Sequence, residues 1–170
     1  GKLFFTTDNN KWRDLNVVDV NTGDVQLLQQ DVRTGDFAFN PVDKSIWGVR
    51  HFNGISTLVR ILPPYTDWNM IYPWDYGKDI YDIDISPDGT ILTAALAEVD
   101  GSQRLIALDV GKLRKGDATY EVLYDFENSS PANFVFSPDG KHLFGTTYRT
   151  GVSNVVRYDF EKKEMEWLTN

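Results

Sequence analysis

The chain has only two imidazoles, His51 and His142, and they bound the catalysis it can support. A Ser-His-Asp hydrolase needs a histidine to take the serine proton. Neither histidine lies near a G-x-S-x-G elbow, and "GIST" and "GVSN" read as hairpin turns without the second glycine. A helical H-E-x-x-H zinc motif is absent. "DIDISPDG" offers Asp82, Asp84 and Asp88 at a spacing that faintly suggests a calcium loop. However, Pro87 stands where such a loop needs glycine, and Thr93 where it needs an acid. No Gly-rich loop opens a helix, so a phosphate cradle is unsupported. Cysteine is absent, which removes thiol catalysis, disulfides and thiolate metal sites and leaves the redox compartment undetermined. The expectation is therefore a chain with no catalytic residues, no metal and no cofactor.

Seventeen basic against twenty-five acidic residues give a net charge of -8, a repulsive field for nucleic acid and anionic membrane surfaces. The one basic cluster, "KLRK" at Lys112 to Lys115, reads as a solvated loop. No apolar run approaches the ~20 residues of a membrane-spanning helix. The first residue is Gly1 rather than Met, which reads as a processed or cut piece whose targeting information lies outside it.

The elements that must position any site come from a repeat. "DIDISPDGT" at Asp82 returns as "FVFSPDGKH" at Phe134, with a weaker echo, "FAFNPVDKS", at Phe37. A second apolar run follows each turn: "SIWGVRHF", "ILTAALAE" and "HLFGTTYR". Each contains a small residue at one equivalent place: Gly48, Ala94 and Gly145. A hairpin signal comes next at Gly54, Gly101 and Gly151, then a third run and a fourth. "KLFFTTD", "LNVVDV" and "VQLLQQ" fit the second, third and fourth strands of an earlier unit. Strong β formers and period-2 alternation nearly exclude helix.

Four-strand antiparallel meanders at this period predict an all-β fold, a β-propeller, partial or of about four blades. The whole chain, 1–170, is then one propeller segment, with blades at 1–30 (three strands), 36–77, 79–127 and 131–170. The turn residues are punctuation: proline presets φ, Asp bonds back to the backbone, and glycine takes the left-handed place. The small residues would let neighbouring sheets approach closely. Either the four blades close with an incomplete first blade, or the chain is a fragment of a larger propeller. The fragment is preferred, and its exposed blade edges predict self-association.

The stretches "ISPDGT…LIALDV" and "FSPDGK…VVRYDF…WLTN" resemble the repeats of TolB-like β-propellers, relatives of the WD-type repeats. Similar repeats form propeller domains found with prolyl-oligopeptidase-type peptidases. The resemblance covers about three quarters of the chain and is weaker over 36–77. It implies an extracytoplasmic location, periplasmic or secreted, and it speaks to fold more than function.

In that frame Asp36, Asp82 and Asn133 form a polar ring near one mouth of the channel. Asp84 is the odd carboxylate where its counterparts, Ala38 and Val135, are apolar. The neighbouring hairpins carry Trp12, Arg13, Arg50, His51, Phe52, Arg104, Tyr148 and Arg149, residue types that anchor interfaces. The candidate binding residues are Asp36, Arg50, His51, Asp82, Asp84, Asn133, Tyr148 and Arg149. The alternative is that the ring caps blade junctions and the arginines merely neutralise it. "PPYTDWNMIYPWDYG" holds five aromatics that could grip sugars or a proline-rich peptide, or else form a fourth strand packed on the next blade. The function expected is a non-catalytic scaffold for a protein or peptide partner. The alternatives are an accessory propeller of a hydrolase or peptidase, and more weakly a carbohydrate-binding propeller.

Overall fold

The computed structural model describes residues 1–8 and 13–169, so Trp12 lies outside the described residues. The first sheet is three-stranded: β1 (Lys2–Asp8), β2 (Arg13–Asp19) and β3 (Val25–Gln29). The second holds β4 (Thr34–Phe39), β5 (Ile46–Phe52), β6 (Ile55–Ile61) and β7 (Trp68–Pro73). The third holds β8 (Asp79–Ile85), β9 (Ile91–Ala97) and β10 (Gln103–Asp109), then a helical turn α1 (Val110–Leu113) and β11 (Tyr120–Asp125). The fourth holds β12 (Pro131–Phe136), β13 (His142–Thr147), β14 (Asn154–Asp159) and β15 (Glu164–Trp167). Every pairing is antiparallel between sequence neighbours, the all-β meander the repeat calls for.

The repeated turn is built twice from the same bonds. Ser86 Oγ donates to Asp88 Oδ1 at 2.6 Å, and the Ile91 amide donates back to Ser86 Oγ at 2.9 Å. Ser137 donates to Asp139 at 2.6 Å and accepts from the His142 amide at 3.0 Å. Gly89 and Gly140 take φ of 72° and 71°, the left-handed geometry that closes each turn. Asn40 replaces the serine in the second sheet, where its Oδ1 accepts the Val42 amide at 3.0 Å. Its Nδ2 donates across to the Gly89 carbonyl at 3.2 Å, so one sheet's turn is tied to the next.

One apolar cluster fills each junction between successive sheets, because a meander alone leaves both faces uncovered. Leu15 and Val32 meet Ile46 and Ile61 between the first and second sheets. Trp47, Val49 and Leu58 meet Ile80, Ile83 and Ile85 between the second and third. Leu105 and Phe126 meet Phe134 and Leu143 between the third and fourth. The inner strands β4, β8 and β12 thereby lie side by side in chain order.

Two expectations need correction. The small residues do not bring sheets together. A Cβ at Gly48 or Gly145 would collide with the inner-strand ring of its own sheet, at 3.0 Å from Phe37 and 2.5 Å from Phe134. The third sheet carries the smaller Ile83 in that strand and has room for Ala94. The "KLRK" cluster is not wholly a loop either. Asp109 caps α1 by accepting the Lys112 amide at 2.8 Å, and Leu113 is buried. Arg114 pairs with Asp43, which also holds Arg60 at 2.7 Å, so α1 is pinned to the second sheet.

Candidate interaction site at the channel mouth

Each inner strand carries a register break near its start: between Thr34 and Asp36, between Tyr81 and Asp84, and between Ala132 and Val135. Asp82 and Asn133 sit in the last two breaks at φ of 48° and 55°, a region that Asp and Asn tolerate better than most residues. A bulge leaves the extra residue out of the ladder. Its amide is then free to turn sideways, toward the preceding sheet. Asp36 accepts the Asp82 amide at 3.4 Å, and Asp82 accepts the Asn133 amide at 2.9 Å. The polar ring is a chain of carboxylate-to-amide bonds linking blade to blade. Together with Gly35, Phe37 and Val135 it walls a channel groove of about 280 Å³. Burial pushes the Asp36 carboxyl above its usual range, with the nearby Asp82 and Asp79 charges adding to this against the Asp82 amide and His51.

Asp84 follows the same logic one step along. Its side chain faces the next sheet and accepts the Phe136 amide at 2.7 Å. Burial raises this carboxyl too, opposed by the amides of Phe136 and Ile85. A raised folded-state value means that stability from this group is present at acid pH and is lost as pH rises through that value. Asp84→Asn keeps an acceptor for the amide and removes the charge, whereas Asp84→Ala leaves the amide unpaired at a cost of about 1–2 kcal/mol. In urea titrations Asp84→Asn should therefore be at least as stable as the parent at pH 7, with the advantage shrinking toward pH 4. A difference unchanged between the two pH values would remove the charge from the explanation. Asp82, Asp84 and Asp88 hold three separate partners, and no group of metal-ligating side chains gathers among the described residues.

The other candidates divide. Arg50 is away from the ring, its guanidinium 4.5 Å over the Trp68 indole of the outer strand β7. His51 faces Ser56 Oγ at 3.2 Å and Asp79 at 3.5 Å, and Ser56 donates to Asp79 at 2.6 Å. These three residue types meet, but Asp79 rather than the imidazole holds the buried serine's proton. That is the reverse of a hydrolytic triad. The trio clamps β6 of the second sheet to β8 of the third. Arg149 donates to the Tyr124 hydroxyl at 2.6 Å and to Glu127 at 2.7 Å, so neither arginine neutralises the ring. Tyr148 and Arg149 instead line an open hollow of about 610 Å³ with Phe126, Glu127, Ser129 and Ser130. Sequence reasoning missed this "ENSSP" wall, because a polar connection carries no signal for the hollow it encloses. The aromatic segment is mostly packed: Trp74 is buried, Tyr72 meets it edge-on at 5.2 Å, and Tyr65 donates to the Lys44 carbonyl at 2.8 Å. Of its five rings Tyr76 alone stands well out, so no exposed aromatic stack is left to grip a sugar.

No protein-family model and no curated protein sequence matches the chain. Solved structures do. TolB from Acinetobacter baumannii overlies 100% of the chain with a TM-score of 0.79 at 18% identity, and the chain spans 42% of it. The fold is that of the TolB-like β-propellers. A chain of the nidogen/laminin complex overlies 99% with a TM-score of 0.73 at 13% identity, with 62% of that chain spanned. A puromycin-hydrolyzing peptidase of Mycobacterium tuberculosis overlies 100% with a TM-score of 0.71 at 15% identity, with 27% of it spanned. The chain thus covers less than two thirds of each of these TolB-like and related propeller proteins. No helix among its described residues is long and apolar enough to cross a membrane.

Proposed function

We propose that this TolB-like propeller is a non-catalytic scaffold that docks a protein partner across its channel mouth, in an extracytoplasmic compartment as its repeats imply. One observation carries the reading. The loops of that mouth present large apolar side chains to solvent, among them Phe52, Tyr76, Val99, Tyr148 and Val152. Tyr76 lies across Gly54, where a Cβ would come within 2.5 Å of its ring, and Val99 lies against Gly77 in the same way at 3.0 Å. Tyr76 and Val99 therefore join the loops of the second and third sheets, and Arg33 is stacked 4.9 Å over Phe52 on the second. Exposed apolar side chains rimmed by polar groups mark interaction surfaces. The presence of similar chains in TolB and in the nidogen/laminin complex supports a binding role.

The test is a photo-crosslinking residue at Tyr76 or Tyr148 to capture the partner, followed by titration of that purified partner. Tyr76→Ser combined with Tyr148→Ser should weaken binding by roughly tenfold or more, as loss of interface anchors does. Val42→Ser, on the opposite mouth, should leave it unchanged. Equal loss from both would place the interface elsewhere. A second reading, an accessory propeller of a hydrolase, has one supporting observation, the likeness to the puromycin-hydrolyzing peptidase. A hydrolase domain encoded beside this segment would favour it. Leu3, Val25 and Leu27 on the first sheet and Val135, Phe144 and Val155 on the fourth are also exposed. Self-association at high concentration is proposed on that ground.

A further inference from the structure

Among the described residues every arginine but Arg50 holds a carboxylate. Arg50 is half-buried, and its Nε is shut off from solvent without a hydrogen-bond partner. A buried donor left unbonded costs free energy, and a chain of net charge -8 has acids to spare. Alternation along β5 puts Arg50 and Phe52 on the face of Ile46, which packs toward the first sheet. The Arg50 guanidinium lies 4.5 Å from the centre of the Trp68 ring and 6.0 Å from that of Phe52. Arg33, in the segment entering β4, stands 4.9 Å over the same Phe52 ring. Asp31 engages only the Arg33 Nε, at 2.7 Å, so the outer edge of that guanidinium is unspent. Thr34, the cross-strand partner of Arg50, is fully buried and its hydroxyl also lacks a bond.

We propose that Arg50 and Arg33 together bind a carboxylate of the docking partner, with Phe52 packing against the apolar groups beside it. The inference rests on the docking reading of the channel mouth and adds the partner's chemistry. Every group it uses belongs to the second sheet or to the segment entering it. A guanidinium held over a ring keeps its fork of N–H donors, and that fork matches the two oxygens of a carboxylate. Half-burial strengthens the pairing relative to the same contact in open water. A monoanion also suits the surroundings better than a phosphate dianion. Asp31 already sits on Arg33, and the net charge of -8 repels a second negative charge more than it repels the first. An acidic side chain and a chain terminus present the same carboxylate chemistry here.

The experiment titrates the 170-residue chain with a tripeptide "FEF" capped at both ends, its capped counterpart "FQF", and "FQF" with a free carboxyl end. Capped FEF should bind roughly tenfold tighter than capped FQF, the scale of a charge-assisted hydrogen bond. In NMR spectra it should shift the Nε–H signals of Arg33 and Arg50. Free-acid FQF separates the two sources: matching FEF assigns the site to a chain terminus as well, and matching capped FQF confines it to acidic side chains. Arg50→Gln should abolish the preference. Arg50→Lys, which keeps the charge and loses the fork, should reduce it should the glutamine variant fold poorly. Equal affinity for the capped peptides, or a preference that survives Arg50→Gln, overturns the proposal. So does displacement of FEF by an equal concentration of inorganic phosphate. The docking reading is tested separately, by the Tyr76 and Tyr148 variants.

Discussion

Phe126→Ala is expected to cost about 3–5 kcal/mol, the range for emptying a buried ring site. Phe126 is 0% exposed, lies edge-on to Tyr124 at 4.8 Å, and meets Phe134 of the next sheet at 5.8 Å. Its amide and the Gln103 carbonyl bond at 2.8 Å, so the backbone on which the ring sits cannot easily collapse into the space. The loss should also be local. In an array where each sheet touches only its neighbours, a junction defect uncouples what lies beyond it. Amide exchange should accelerate across β12 to β15 while the core amides of β5 and β9 keep their protection. A uniform rise in exchange along the chain would show that the four sheets unfold as one cooperative body, and would count against junction-by-junction stability.

Gly145→Ala should destabilise by about 3 kcal/mol, the upper end of the overpacking range. The new methyl would stand 2.5 Å from Phe134, a ring 2% exposed and held between two sheets, so the neighbour has nowhere to move. The repeat supplies its own rescue. The third sheet solves the same packing with Ile83 and Ala94, and so Phe134→Ile combined with Gly145→Ala should recover most of the loss. Denaturant midpoints of the two single variants and the double variant measure the coupling. If the two effects simply add, the ring and the glycine do not share one space and the explanation fails.

The strand order was legible because its signals are short-range. Ser86, Asp88 and Gly89 bond to one another and to Thr90 and Ile91, while Pro87 presets φ, and no distant residue is needed to form that turn. Alternation then set which side chains are buried, and three copies of the turn set the period. The helical turn α1 escaped because a single capped turn has no periodicity to read. Its cap, Asp109, closes a β-strand run and so reads locally as the end of that strand. Gly48 and Gly145 were recognised as places needing a small residue, but the sequence could not say whether the crowding came from the next sheet or the next strand.

The site was less legible for a related reason. Asp84 stood out as a carboxylate among apolar counterparts, yet its partner is an amide 52 residues away. Asp36 and Asp82 likewise act on the following blade, and only the bulges that turn those amides sideways make the contact possible. Arg50 stood on a hairpin beside the ring in the sequence, but what its side chain touches depends on register, which places its guanidinium 4.5 Å over the Trp68 indole.

From its residues alone the chain determined that it forms antiparallel meanders joined by a recurring turn, because turn chemistry and alternation act over a few neighbouring residues. Tertiary structure alone decided which carboxylates bridge blades and which apolar loop side chains stand exposed. Those features arise from the sideways packing of sheets about 50 residues apart in sequence, and no local pattern encodes the geometry of that contact.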